Sequence, residues 1–325
     1  MQFDFPLEQL REHRPPLNKP EDFDEFWDAT LAQARTHDID VRMEEVDLGY
    51  SGVSTYDFSF AGFGGNRISG WLRLPADATG PLPAYVQYDG YHGGRGWAHE
   101  PHVWPLAGFA HLSVDTRGQG GGGWHSGNTA DPIGGTGPES AGWLTRGILS
   151  PDDAYYRRVF CDAARAVDAA RALEMVDPTR VFVGGGSQGG GIALAAAGLS
   201  EGLAGVNADV PFLCDYPEAV ALADDTSLGY GEIVRMLRTR SDWEETVFRT
   251  LSYVDAANLA TRATAPLLMS VALMDAVCAP RTVFAAYNGY GSDDKDIVVY
   301  PYAGHEGGGQ RQEWRKLEWV RSRLG

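Results

Sequence analysis

Val181-Phe182-Val183-Gly184-Gly185-Gly186-Ser187-Gln188-Gly189-Gly190-Gly191 reads as a short β-branched strand, a glycine-flanked serine and the start of a helix. Its tightest part, Gly185-Gly186-Ser187-Gln188-Gly189, fits G-x-S-x-G, a sharp strand-to-helix turn that lifts the serine Oγ above a sheet edge. A serine is a poor nucleophile until geometry and a base activate it. Glycines on both sides permit a turn that would strain residues carrying a Cβ. With 41 glycines in the chain, a βα turn without chemistry fits the same letters. The strand before the serine and the alanine-rich stretch from Ile192 to Ala197 after it favour the elbow.

Outward from the elbow, strand and helix patterns alternate. Ser54 to Phe60 and Arg67 to Leu74 alternate polar and apolar residues, as a two-stranded antiparallel ribbon does, with 62–66 as its turn. Ala84-Tyr85-Val86-Gln87-Tyr88 and His111-Leu112-Ser113-Val114-Asp115 read as buried strands with a helix between them. Gly205 to Val210, Pro266 to Leu273 and Asp296 to Tyr300 are further strands, separated by helical stretches such as Asp152 to Met175 and Thr282 to Tyr287. This order implies an α/β fold with a mostly parallel sheet covered on both faces. The expected layout is a single domain over residues 1–325, with an N-terminal helical extension at 1–45 and an insertion at 120–150 near the site entrance. In the extension a helix opens after Pro20 with acids in its first turn, and Phe23, Phe26, Trp27 and Leu31 recur at helical spacing as packing residues.

Reactive groups of such sheets gather beyond the C-terminal strand ends. Along the chain the order for this elbow is serine, acid, histidine. One histidine follows Ser187: His305, directly after the last strand. Imidazole titrates near neutrality and suits proton transfer. Asp275 ends the preceding strand and is the expected orienting acid, accepting the Nδ1 proton of His305. Asp255, Asp293 and Asp294 compete less well, the first because it precedes that strand, the others because they sit in a later polar loop. Two backbone donors for a tetrahedral oxyanion are expected, the N–H of Gln188 and the N–H of Tyr91 in the glycine-rich loop 88–96. Arg117, after another strand end, is expected to pair with an acid and hold the loops around the site, with a carboxylate substrate as the alternative. Tyr155-Tyr156-Arg157-Arg158 reads as a packing and ion-pair surface at the start of a long helix.

The bulk properties narrow the function class. At 325 residues and 43% hydrophobic content the chain can bury a sizeable core. No apolar run reaches the ~18 residues of a membrane span, and the first six residues lack the basic start and apolar run of a secretion signal. A net charge of -17 argues against nucleic acid and disfavours polyanionic substrates. Cys161, Cys214 and Cys278 are odd in number and widely spaced, which points to a reducing, cytoplasmic compartment. No Cys/His spacing matches a zinc site, so neither metal nor cofactor is expected.

Several motifs together resemble one family, the acetyl xylan esterase and cephalosporin C deacetylase group of carbohydrate esterases. They are Arg117-Gly118-Gln119, the elbow at Ser187, His305-Glu306, the opening Arg14 to Phe23, Gly147-Ile148-Leu149 with Tyr155 to Arg158, and Asp209 to Cys214. The likeness covers almost the whole chain. It implies the α/β-hydrolase fold and a serine esterase that deacetylates short xylo-oligosaccharides and often cephalosporin C. It implies Ser187, Asp275 and His305 as the triad, Tyr91 and Gln188 as oxyanion donors, and Tyr91, Pro211 and Phe212 near the substrate. It also implies a homohexamer, a trimer of dimers. The sequence departs from the family pattern at Asp89, where the family carries histidine, and around Trp124-His125-Ser126-Gly127. Fold alone does not fix chemistry, so a peptidase or thioesterase, or a silent binding protein on the same fold, stands as the alternative.

Overall fold

The apolar runs become the centre of one nine-stranded sheet in the computed structural model, which describes residues 2–100, 103–122, 124–133 and 137–324. Its strands are β1 (Arg42–Val46), β2 (Val53–Ala61), β3 (Arg67–Pro75), β4 (Leu82–Tyr88), β5 (Ala110–Val114), β6 (Val176–Gly186), β7 (Gly205–Asp209), β8 (Leu267–Ala272) and β9 (Lys295–Tyr300). The helices are α1 (Leu7–Glu12), α2 (Phe23–Ala34), α3 (Val103–Leu106), α4 (Tyr155–Arg171), α5 (Gln188–Leu199), α6 (Tyr216–Leu222), α7 (Tyr230–Thr239), α8 (Glu244–Tyr253), α9 (Ala256–Ala260), α10 (Pro280–Gly289) and α11 (Gly309–Ser322). The sheet order is β1-β2-β3-β5-β4-β6-β7-β8-β9. β1, β2, β3 and β5 pair antiparallel in turn, and β5-β4-β6-β7-β8-β9 are parallel.

The central parallel strands are buried on both faces: every residue of β5, β7 and β8 is buried. Side chains alternate between the two faces as a pleat requires. Ala84, Val86, Val181 and Val183 enter the large core under α4 and α5. Tyr85 and Phe182 point to the other face, where Trp104, Phe109, Leu317 and Val320 close a smaller cluster. Strand order reverses at β4, so the loops leaving β4 and β6 splay apart beside each other, the usual place for a binding crevice.

Three regions differ from the sequence expectation. The segment 1–45 holds α1 and α2, with Phe23, Trp27 and Leu31 buried, but it also begins β1, an edge strand whose Arg42-Met43-Glu44-Glu45 is exposed and therefore shows no apolar alternation. Between β4 and β5 the described helix is only the four residues of α3. Tyr155 and Tyr156 pack and Arg158 forms an ion pair with Asp131, as the packing and ion-pair reading expects, but all three are interior rather than on a surface.

Candidate active site

Ser187 is the N-cap of α5 and adopts φ 55°, ψ -121°, a left-handed backbone rare for a residue with a Cβ. Three backbone bonds hold it there. Its N–H donates to Asp209 O at 2.9 Å, and its carbonyl accepts from Phe212 N at 2.9 Å and Gly191 N at 3.1 Å. The glycines that follow are required by close approach. A Cβ on Gly189 would lie 2.2 Å from Tyr88 O, and one on Gly191 would lie 2.1 Å from Phe212 O. The helix therefore packs directly against two strand ends.

His305 Nε2 lies 3.0 Å from Ser187 Oγ, and His305 Nδ1 lies 2.9 Å from Asp275 Oδ2. Asp275 is fully buried, and its other oxygen accepts Val277 N–H at 2.8 Å and Cys278 N–H at 3.0 Å. Those two donors fix the carboxylate so that one oxygen faces the imidazole. Two of the competing acids are employed elsewhere. Asp255 caps α9 through Ala257 N and accepts Asp215 and Tyr216 N–H groups, and burial pushes its pKa up to about 7. Asp294 pairs with Arg323. Serine, imidazole and carboxylate in this chain of hydrogen bonds can pass a proton from the hydroxyl to the ring while the buried charge steadies the imidazolium.

The loop after β4 is held by side chains from distant segments. The buried Gln188 side chain donates to Asp89 O and Gly90 O, both at 3.2 Å. Gln188 Oε1 accepts from Gln119 Nε2 at 2.9 Å and Tyr156 OH at 2.8 Å. Gln119 Oε1 accepts His92 N–H at 2.8 Å, where His92 itself has φ 64°. Tyr91 OH donates to the buried Glu232 Oε1 at 2.6 Å and accepts from Trp143 N at 2.8 Å. Glu232 also accepts Leu144 N–H at 3.0 Å and Gly229 N–H at 3.2 Å. Among the described residues the Tyr91 and Gln188 N–H groups donate to no partner within the chain.

Arg117 is fully buried and binds Asp162 through Nε and Nη2, at 2.6 and 2.7 Å. It also meets Asp131, which Arg158 holds at 2.8 Å. The arginine is thus a tie between loops, not a group facing ligand. Glu232, Gln119 and the Gln188 side chain are functional neighbours that site reasoning from the sequence passed over. Gln119 was visible only as part of Arg117-Gly118-Gln119, and nothing in the letters around Glu232 distinguishes it from a surface helix residue.

A cavity of about 950 Å³ opens over the serine. Phe212, Tyr230, Leu222, Leu228 and Val277 give it an apolar side, and Asp89, His125, Glu306 and Glu313 a charged one. Tyr91 and Phe212 line it and meet edge to face at 5.8 Å. Among the described residues Pro211 is not part of the lining; its Cα backs Gly190 instead. The two departures noted in the sequence meet here. His125 Nδ1 lies 2.9 Å from Asp89 Oδ2, and that bond raises the His125 pKa against a smaller opposing effect of burial. Trp124 Nε1 donates to Tyr91 O at 3.2 Å, and its ring lies over Gly90, where a Cβ would be 2.5 Å from the indole.

The sheet order, the strained serine after the sixth strand and the histidine and acid beyond the last two define an α/β-hydrolase. The chain belongs to the acetyl xylan esterase family, whose model matches residues 1–323. It is 38% identical to an acetyl xylan esterase from a Paenibacillus species, with a TM-score of 0.91 over 98% of this chain and 99% of that one. It is 37% identical to acetyl xylan esterase 1 from a Thermoanaerobacterium species, with a TM-score of 0.88 over 97% of this chain and 99% of that one. An acetyl esterase, Axe7A, from Xylanibacter ruminicola is 28% identical over 85% of this chain, which spans only 61% of that relative's length.

Proposed function

We propose that this chain is a serine esterase that removes acetyl groups from small substrates, acetylated xylo-oligosaccharides first among them. The observation that carries the reading is the Ser187–His305–Asp275 chain of hydrogen bonds, at 3.0 and 2.9 Å, whose serine and histidine line a cavity. His305 Nε2 takes the Ser187 proton as Oγ attacks the acetyl carbonyl. The tetrahedral oxyanion is received by the Tyr91 and Gln188 N–H groups, which have no competing partner among the described residues. His305 then protonates the leaving alcohol, and water attacks the acetyl-enzyme by the same route in reverse. Asp275 Oδ2 accepts the ring's Nδ1–H and holds its orientation.

Tyr91 and Phe212 line the cavity beside Ser187, and in this reading their rings limit the acid to acetate or slightly larger groups. Cephalosporin C belongs to the proposed range, and the assembly proposed is a homohexamer, a trimer of dimers, as the family resemblance implies. Hydrolysis of p-nitrophenyl acetate and of acetylated xylo-oligosaccharides by wild type and Ser187→Ala tests the chemistry; equal rates remove Ser187 from it. Amide and thioester substrates in the same panel test the peptidase and thioesterase alternatives, and light scattering tests the hexamer.

A further inference from the structure

Cys278 carries a thiol beside the triad that the proposed reaction does not use. It follows the acid by three residues, and its backbone N–H is one of the two that fix Asp275. Its thiol is fully buried, and burial pushes its pKa well up, with the Asp275 charge adding to the shift. One donor atom each from Asp275, Cys278 and His305 lies within 4.8 Å of the other two. No spacing in the sequence foretold this, because His305 arrives from a different strand end.

We propose that Asp275, Cys278 and His305 form an inhibitory site for a soft divalent cation such as zinc or cadmium, reached through the substrate cavity. The donor set selects the class of ion. Thiolate and imidazole favour zinc and its heavier relatives, whereas magnesium demands six hard oxygen ligands. Zinc binds such donors at roughly 2.0–2.3 Å, which sets them about 3.3–3.7 Å apart in a tetrahedron, so a pair at the 4.8 Å limit closes by about 1 Å. A side-chain torsion in the exposed His305 loop supplies that movement. Carboxylate and thiolate together neutralise the ion, which suits a site with two fully buried ligands.

The steps balance without a further reagent. A metal–sulfur bond forms as the thiol proton leaves to solvent, one proton for each ion bound; a coordinating thiol is deprotonated outright despite its raised pKa. The imidazole stays neutral. If Nδ1 binds the metal, its proton moves to Nε2, which then cannot accept from Ser187. If Nε2 binds it, the lone pair facing the serine is occupied. In both cases the base is lost while the fold is kept. The inhibition rests on the reading of His305 as the base, whereas the binding does not.

The test uses the purified full chain, stripped with chelator. Micromolar zinc is expected to inhibit p-nitrophenyl acetate hydrolysis, EDTA to restore it, and magnesium at equal concentration to leave it unchanged. Cys278→Ser and Cys278→Ala, each compared with its own metal-free rate, are expected to need at least about 10-fold more zinc for half inhibition, since losing even an outer-shell partner costs 10–100-fold. Cadmium is expected to give a thiolate charge-transfer absorption in wild type, Ser187→Ala, Cys161→Ser and Cys214→Ser, and none in Cys278→Ser. That absorption needs no turnover, so it reports the site even if acetyl-ester hydrolysis fails. Unchanged zinc sensitivity in both Cys278 variants, or cadmium absorption that persists in Cys278→Ser, overturns the proposal.

Discussion

The two halves of the site are held in different ways. The Ser187–His305–Asp275 hydrogen-bond line rests on backbone: Ser187 is clamped by Asp209 O, Phe212 N and Gly191 N, and Asp275 by two N–H groups from the next turn. The loop at 89–96 rests on side chains that come from β6–α5, the Arg117 loop, the 120–150 segment and α7. Backbone clamps come with the strand ends and survive most substitutions. A side-chain clamp fails when one member is lost, and a buried polar network left half satisfied costs more than its bond count suggests.

This contrast can be broken at either end. Ser187→Ala is expected to lower the p-nitrophenyl acetate rate by on the order of 10⁴-fold or more, with an unchanged fold by circular dichroism. Asp275→Asn, which leaves the loop geometry but favours the wrong ring tautomer, is expected to lose about 10⁴-fold in kcat. Gln188→Ala keeps its own N–H but releases the carbonyls of Asp89 and Gly90; a misplacement of about 1 Å there is expected to cost on the order of 10²-fold in kcat, with KM little changed. If Gln188→Ala retains full kcat, the loop is held by its backbone after all and the contrast falls.

Two smaller changes sharpen it. Glu232→Gln keeps the shape but weakens the bonds from Tyr91, Leu144 and Gly229, and urea unfolding is expected to show a loss of about 1.5–3 kcal/mol. Asp89→Asn is expected to lower the His125 pKa in an NMR titration, because the Asp89 carboxylate is what raises it. Since the folded value lies above 6.5, the pair adds stability that is fully present below pH 6.5 and fades as pH rises through the raised value. His125 is about a third exposed, so this difference stays within about 1 kcal/mol.

Legibility in the sequence follows the same division. Ser187, Asp275 and His305 could be listed because each lies just beyond the end of a strand with a recognisable apolar run. The reading of Arg117 as a loop tie matches its bonds to Asp162 and Asp131. Glu232 could not be found that way, being separated by 141 residues from the tyrosine it holds. Strand β1 escaped because an exposed edge strand has no buried face to impose a period of two. The two-tyrosine, two-arginine run of α4 looked like surface because charge usually is; its burial depends on Asp131 arriving from the 120–150 segment to pair Arg158.

By itself the sequence determined the α/β layering, the elbow and the order of the reactive groups. Those depend on local conformational limits and on the alternation of apolar runs, which adjacent residues encode. Only the tertiary structure decided that Asp89 faces His125, that Gln188 and Glu232 hold the loop from two sides, and that Cys278 shares a 4.8 Å neighbourhood with the acid and the histidine. Hydrogen bonds and metal coordination act over a few ångströms of space, whatever the distance along the chain, so these contacts appear only once the strands are ordered side by side.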